Sequence, residues 1–341
     1  MSEESLVAVV EKSRVEAVIE ALRAEGVYDD DRPVREANEG AVTVPLTAPP
    51  RETDVDEITR RTGDNRTHTL ADHLRKRGWT EAEIEDAPGS WAVVGSVVLV
   101  DAAGVASRAE LGEALLALHG GADTVLDRGG IEGPHREPEV EVVAGEGDTR
   151  TVHSEHGTEY ALDLAEVMFS PGNKAERARI GEAVERGERV LDCFAGIGYF
   201  ALPAARAGGR VTAVERNPTA FEFLLENAVR NGVTDRLEAY RGDCGTVVPA
   251  LESGAGLDFD RVVMGHYDAH EYLDVVLGAV APGGLLHLHE ATPEALVPDR
   301  PVDRLRAAVD GVGRHVATHE VRRVKGYSEG VAHVVVDARI E

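Results

Sequence analysis

The sequence predicts a mixed α/β protein: a C-terminal Rossmann-like domain with a mostly parallel sheet, preceded by smaller N-terminal α/β domains. Three observations carry this prediction. From Ala161 onward, short apolar strands alternate with helical or Gly/Pro-rich segments, the pattern of βαβ units. Within that stretch, a strand ending at Asp192 meets a turn holding Gly196 and Gly198, and a helix follows. The length of 341 residues, 43% of them hydrophobic, suffices for two or three domains at roughly 100–200 residues each.

In chain order, Leu6–Val10 reads as a strand and Arg14–Glu25 as a helix stopped by Gly26. After the turn Asp29–Pro33, Ala41–Leu46 is a second strand. The run from Thr47 to Arg66, with Pro49, Pro50 and many charges, reads as a linker, which places the first domain at 1–66. A second domain, 67–160, has strand-like runs at Ala92–Val100 and Val140–Val143, a helix around Ala109–His119, and a glycine- and proline-rich connection at Arg128–Glu137. The third, 161–341, carries strands at Val190–Asp192, Val211–Glu215, Leu237–Tyr240, Val262–Gly265 and Leu285–His289. It closes with His319–Val324 and Val331–Ala338, a hairpin-like pair with one strand antiparallel to the rest.

No run approaches the roughly 18 apolar residues that a bilayer span needs, and the start Met1-Ser2-Glu3-Glu4 is acidic where a secretion signal is basic. Neither a membrane protein nor a secreted precursor is expected. Cys193 and Cys244 are the only cysteines, too few for a disulfide framework or a zinc cluster, so a reducing cytoplasm fits and no metal is expected. The formal charge is −26, from 62 acids and 36 bases, of which four are lysines. The acids are spread through periodic apolar segments, which excludes an acidic tail and fits a surface solvated for high salt, as in a halophile. Such a charge opposes phosphate binding. Two local basic sets stand against it: Arg60, Arg61, Arg66, Arg75, Lys76 and Arg77, then Arg322, Arg323 and Lys325.

The loop Asp192–Gly198 has the form of a ligand-binding strand–turn–helix, where glycine permits positive φ and close backbone approach. Ala201 stands where a dinucleotide fingerprint places its third glycine, and alanine there leaves a dehydrogenase open. Glu215 ends the next strand 23 residues after Asp192, where a ribose-binding carboxylate belongs. Asn217-Pro218 then opens a helix, and a third strand leads to Asp243. Acids at three successive strand ends suit a nucleoside bearing an amino acid, and S-adenosylmethionine is such a molecule.

These residues, together with Phe169-Ser170-Pro171-Gly172-Asn173, Glu215-Arg216-Asn217-Pro218, and Met264-Gly265-His266-Tyr267 followed by His270-Glu271, resemble a known family. It is the archaeal tRNA 4-demethylwyosine aminocarboxypropyltransferases of wybutosine synthesis, related to the tRNA guanine-37 N1-methyltransferases. The resemblance covers about residues 130–341 and is looser over the first 66. The methyltransferase branch carries Asn-Leu-Pro or Asn-Pro-Pro after the fourth strand; Gly265-His266-Tyr267 stands there instead, which favours the aminocarboxypropyl branch.

The resemblance implies a class I methyltransferase-like fold and S-adenosylmethionine as co-substrate. The implied reaction moves its 3-amino-3-carboxypropyl group to C7 of 4-demethylwyosine at position 37 of tRNA-Phe and releases methylthioadenosine. Guanine-37 methylation is the alternative from the same fold, and a non-catalytic cofactor-binding RNA module is a third reading. By motif, the cofactor contacts are Ser170, Arg177, Glu215, Asp243 and Cys244, joined by Asp192, Gly196 and Gly198 of the loop. Arg177 is expected to pair with the cofactor carboxylate, and Asn173 with Glu176 to form a capping box. His266, Tyr267 and His270 are candidates for stacking on the base or collecting the C7 proton. The implied partner is the tRNA-Phe anticodon loop, bound by a monomer.

Overall fold

The computed structural model describes residues 4–38, 40–62, 69–133, 137–255 and 258–341; Arg66 lies outside them. The chain forms two compact units, Met1–Ile84 and Glu85–Glu341.

In the first unit, β1 (Glu4–Glu11), β2 (Arg35–Asn38), β3 (Ala41–Leu46) and β4 (Glu57–Thr62) form an antiparallel sheet in the order β2-β3-β1-β4. Helix α1 (Val15–Ala24) lays Val18 and Leu22 on it, closing a core with Ala8, Val10 and Val44. The stretch read as a linker therefore supplies an edge strand. Its register runs from Glu4↔Thr62 to Val9↔Glu57. The exposed Arg60 and Arg61 hid it, because charge is what an edge strand carries to discourage further pairing. Helix α2 (Leu70–Lys76) begins at a Thr69/Asp72 capping box, and α3 (Glu81–Glu85) follows.

The second unit opens with β5 (Trp91–Val94) and β6 (Val97–Val100), a hairpin where the sequence read one run. Helix α4 (Arg108–Leu118) then leads to β7 (Thr124–Glu132) and β8 (Glu137–Gly145), completing the sheet β5-β6-β7-β8. The glycine-rich connection is thus mostly strand. A second hairpin, β9 (Arg150–Glu155) and β10 (Thr158–Asp163), turns at His156-Gly157, both at positive φ.

The main sheet has seven strands. They are β11 (Arg189–Asp192), β12 (Arg210–Glu215), β13 (Leu237–Arg241), β14 (Phe259–Met264), β15 (Val280–Pro293), β16 (Val316–Ser328) and β17 (Val331–Ile340). Their order is β13-β12-β11-β14-β15-β17-β16, and β17 pairs antiparallel with both its neighbours, so it alone runs against the rest. The chain order reverses between β11 and β14, the switch point at which open α/β sheets bind ligands.

Alternation along the strands sorts the two faces. Val190, Val211, Ala213 and Val263 join α5 (Lys174–Ala183), α6 (Ala201–Ala207) and α7 (Pro218–Arg230) in one core. Leu191, Val214 and Val262 join α8 (Cys244–Ala255), α9 (Leu273–Val276) and α10 (Asp299–Gly311) in the other. The first core also takes in Val94, Val97 and Leu126, so the small sheet and the main sheet of this unit share apolar interior. Among the described residues no helix is long and apolar enough to cross a membrane.

Gly198 shows why the turn after β11 needs glycine. Its φ is +107°, and a Cβ there would sit 2.5 Å from Leu202 Cγ and 3.2 Å from Leu224 Cδ1. Gly198→Ala is therefore expected to destabilise the fold by about 1–3 kcal/mol, read as a lowered urea midpoint at unchanged m-value. An unchanged midpoint would contradict this account of the turn.

Candidate active site

A crevice of about 1150 Å³, counted to its open mouth, lies along the C-terminal ends of β11, β12, β13 and β14. Glu215, the last residue of β12, is its anchor. Its two carboxylate oxygens accept the N–H groups of Gly196 (2.7 Å) and Asn217 (2.6 Å), tying the glycine loop to the start of α7. Burial raises its pKa, and these backbone N–H groups oppose that rise. Asn217 caps α7 as its sequence position implied, accepting from the N–H groups of Thr219 and Ala220. Gly196 has φ +56°, and a Cβ there would lie 2.4 Å from the Tyr199 ring.

Asp243, just past β13, accepts from Gly245 N at 2.9 Å and faces Arg216 at 3.6 Å. The Phe194 ring stands edge-on to Tyr272 (5.2 Å) and against His266 (5.3 Å), giving the crevice an aromatic wall beside Asp243. Cys244 lines the crevice and is buried against Cys193, whose thiol is pushed up by burial and by that neighbour.

Several expected contacts fall elsewhere. Asp192 does not face the crevice: it is fully buried under the loop, where it accepts from Phe194 N at 3.3 Å. Burial pushes its carboxyl up to about 7. Gly198 shapes the turn from behind. Ser170 and Arg177 both line the crevice, but the Arg177 fork is already engaged. Its Nε and Nη2 donate to Glu155 at 2.7 and 2.8 Å, and Nη1 donates to the Ser170 carbonyl at 3.0 Å. The paired contact expected for a ligand carboxylate is thus made within the protein. Lys325 instead donates to Ser170 Oγ at 2.6 Å, leaving a cation at that end of the crevice.

The Asn173/Glu176 capping box does not form. Glu176 is buried, with its carboxylate bonded to Arg322 (2.7 Å) and Arg179 (3.1 Å). Both arginines also reach Asp337, which bonds His287 at 2.5 Å. Burial alone would raise the Glu176 carboxyl, but the two arginines hold it down at about 2. Arg322, expected to meet phosphate, is therefore an internal ion-pair partner.

The remaining basic residues divide. Arg60 and Arg61 are exposed on β4. Arg75 is paired with Asp72 and Glu81, Arg77 donates to the His73 carbonyl, and Lys76 is exposed on the last turn of α2. Arg323 is paired with Glu294. Of the three candidates after β14, His266 and Tyr267 line the crevice, whereas His270 does not. The sequence reading passed over Phe194, Tyr272, Glu155 and His333. Only Phe194 carried a signal, as a large apolar residue inside the glycine loop. Among the described residues, no group of three or more His, Cys, Asp and Glu is placed to hold a metal.

Comparison with known proteins matches residues 151–317 to the TRM5/TYW2 methyltransferase domain and residues 70–149 to the TYW2 N-terminal domain. The tRNA(Phe) (4-demethylwyosine(37)-C(7)) aminocarboxypropyltransferase of Pyrococcus horikoshii is 38% identical over 228 residues, 64% of this chain and 77% of that protein. The solved structure of P. horikoshii TYW2 in complex with MeSAdo matches with a TM-score of 0.66 at 31% identity, covering 79% of this chain and 97% of that one. Wild-type Trm5b from Pyrococcus abyssi matches with a TM-score of 0.73 at 26% identity over 99% of both chains.

The Glu176 cluster makes the stability of this unit acid-labile. A carboxyl held at about 2 in the folded chain against 4.5 ordinarily contributes stability that is complete above about 4.5 and lost as pH falls through 2. Glu176→Gln should cost about 1.5–3 kcal/mol at pH 7, since it removes the charge from a buried carboxylate that bonds Arg322 and Arg179, while both partly exposed arginines keep Asp337. The stability difference from wild type should shrink steadily on acidification, as read by urea unfolding. A pH-independent difference would rule out the ion cluster as its source.

Proposed function

Because the chain belongs to the TRM5/TYW2 methyltransferase-domain family, we propose that it transfers the 3-amino-3-carboxypropyl group of S-adenosylmethionine to C7 of 4-demethylwyosine at position 37 of tRNA-Phe, releasing methylthioadenosine. The proposal extends to its setting: a cytoplasmic monomer of a halophilic archaeon, acting on the anticodon loop.

The crevice suits such a co-substrate. Glu215 retains lone pairs for ribose hydroxyls after accepting its two backbone N–H groups. The Phe194 and Tyr272 rings offer a slot for a purine, with Asp243 at its edge to accept from an exocyclic amine. The Lys325 ammonium at Ser170 supplies the cationic end for a carboxylate. Bound there, S-adenosylmethionine brings its own electrophile, a sulfonium whose adjoining carbons are open to displacement, so the protein's task is to decide which carbon faces the base.

The observation that carries the choice of branch is the packing of Gly265. A Cβ at this position would lie 2.7 Å from Phe200 Cε2, so the space in which a methyltransferase asparagine would begin is filled by a ring. An asparagine there would have to displace the Phe200 ring before its amide could orient a guanine for attack on the methyl. His266 and Tyr267, which follow Gly265 on the crevice wall, present rings for stacking on a large tricyclic base.

Incubation with suitably modified tRNA and identification of the nucleoside by-product separates the readings. Methylthioadenosine is expected; adenosylhomocysteine would establish the methyltransferase reading in its place. Glu215→Ala should weaken S-adenosylmethionine binding by about 10–100-fold, because it removes charge-assisted hydrogen bonds of about 1.5–3 kcal/mol. Calorimetry showing unchanged affinity would remove Glu215 from the site.

A further inference from the structure

At the acceptor end of the crevice, β15 and β17 place two histidines where no assigned contact uses them. On these strands Leu286, Leu288, Val336 and Ala338 face one core, so His287, His289, His333 and Asp337 point to the opposite face. His287 is taken up by Asp337 and Arg261, at 2.5 and 2.7 Å. His289 and His333 hydrogen-bond only to each other: His289 Nδ1 lies 3.0 Å from His333 Nε2, and the remaining nitrogens, His289 Nε2 and His333 Nδ1, are buried with no hydrogen-bond partner. His333 lines the crevice yet is fully buried, with the Tyr267 ring edge-on to it at 4.9 Å. Phe200, the ring that fills the space above Gly265, packs on His289 at 5.2 Å.

Sheet order fixes which end of the crevice this is. The strand ends suited to the nucleoside, β11, β12 and β13, lie to one side of the switch point. Gly265-His266-Tyr267 and His333 lie on the other, where the incoming base must enter. Resting on the proposed function, we infer that His333 is the proton acceptor for C7 of the base, and that His289 is the positioning residue that fixes its tautomer. With His333 Nε2–H donating to His289 Nδ1, the bare Nδ1 of His333 is left as a buried, unpartnered base in a residue that lines the crevice.

The step balances without another reactant. The C7 carbon forms a bond to the side-chain methylene while the carbon–sulfur bond breaks and its electron pair stays on sulfur. The positive charge thereby passes from sulfur to the base, whose C7 now holds both the new carbon and a hydrogen. Nδ1 of His333 takes that proton, and the C–H pair restores the ring's conjugation. The imidazolium formed shares its charge with His289 and loses the proton to solvent as the products leave.

The surroundings suit this task. Burial, the neighbouring His289 and Lys325, and the nearby Arg322 all favour neutral rings, with Glu176 opposing; burial carries His333 down to about 4. A neutral imidazole places no cation beside a sulfonium. A weak base is adequate, because a proton on a cationic ring carbon is strongly acidic.

His333→Phe and His333→Asn test the inference, the second keeping a smaller polar side chain if the first does not fold. Both are expected to lower single-turnover transfer about 100-fold or more while S-adenosylmethionine affinity stays within about threefold by calorimetry. Both should also reveal a primary isotope effect, absent in wild type, with acceptor tRNA deuterated at C7, since proton loss then limits the rate. Independently, long-range 1H–15N spectra of the free protein should show His333 protonated at Nε2 and bare at Nδ1 at neutral pH. Transfer within threefold of wild type, a rate loss with no isotope effect, or a protonated Nδ1 would each overturn the role given to His333. Wild-type protein that yields no methylthioadenosine would instead overturn the reaction on which the inference rests.

Discussion

Two backbone N–H groups converging on the Glu215 carboxylate hold the catalytic unit's ligand end together. One comes from the loop after β11 and the other from the start of α7, so a single side chain sets where two elements leave the sheet. The arrangement needs a left-handed Gly196, since any side chain there would displace Tyr199. It also needs Asn217 and Pro218, which let α7 begin immediately after the strand. Glu215 thus serves the fold and the crevice at once. Its burial raises its pKa, and the backbone donors at both oxygens, with the Arg216 charge, oppose that rise.

The other half of the crevice rests on a polar row built into one face of β15 and β17. The pleat turns His287 and Asp337 toward α5, where Glu176 and Arg179 meet them, and Arg322 of β16 closes the cluster. Burying so many charges is favourable only when every member is paired, and here the pairing spans four elements, α5, β15, β16 and β17. The cluster holds α5 against the edge of the sheet, and with it Ser170, which precedes that helix and receives the Lys325 ammonium. Arg177, on the same helix, is fixed by Glu155 from the β9–β10 hairpin and stacks over Phe169 at 4.8 Å. Wall residues on both sides of the crevice are therefore set by ion pairs formed before any ligand arrives.

The parallel sheet was legible because its signals are local. Short apolar strands, the Gly196/Gly198 turn and the Asn217-Pro218 cap each follow from neighbouring residues, as does the acid ending β12. What was illegible depends on partners far along the chain. Nothing around Arg177 announces Glu155, 22 residues earlier on a different element, so the guanidinium looked free to bind a ligand. Asp192 and Glu215 read alike as strand-end acids, yet one turns under the loop and the other faces it. Arg322 read as surface charge because its acceptors, Glu176 and Asp337, lie on separate elements. His333 sits in a strand whose run of apolar neighbours gives no hint of a crevice.

The same pairing bears on how a chain of charge −26 engages a polyanion. Counterion release scales with the cations actually delivered to phosphate, and Arg75, Arg322 and Arg323 are held by neighbouring carboxylates. Arg60 and Arg61, exposed on the edge strand β4, remain available in the first unit. In the second, the surface beside the crevice offers rings more than charge: Tyr327 is half exposed and stands 4.6 Å from Tyr267. Stacking survives high salt, whereas long-range attraction between exposed charges is screened within a few ångströms there. An acidic tRNA enzyme of this build would read its substrate through shape and an unstacked base. Such recognition suits a base-modifying enzyme, because the reacting carbon must be brought to the crevice before any group can be moved to it.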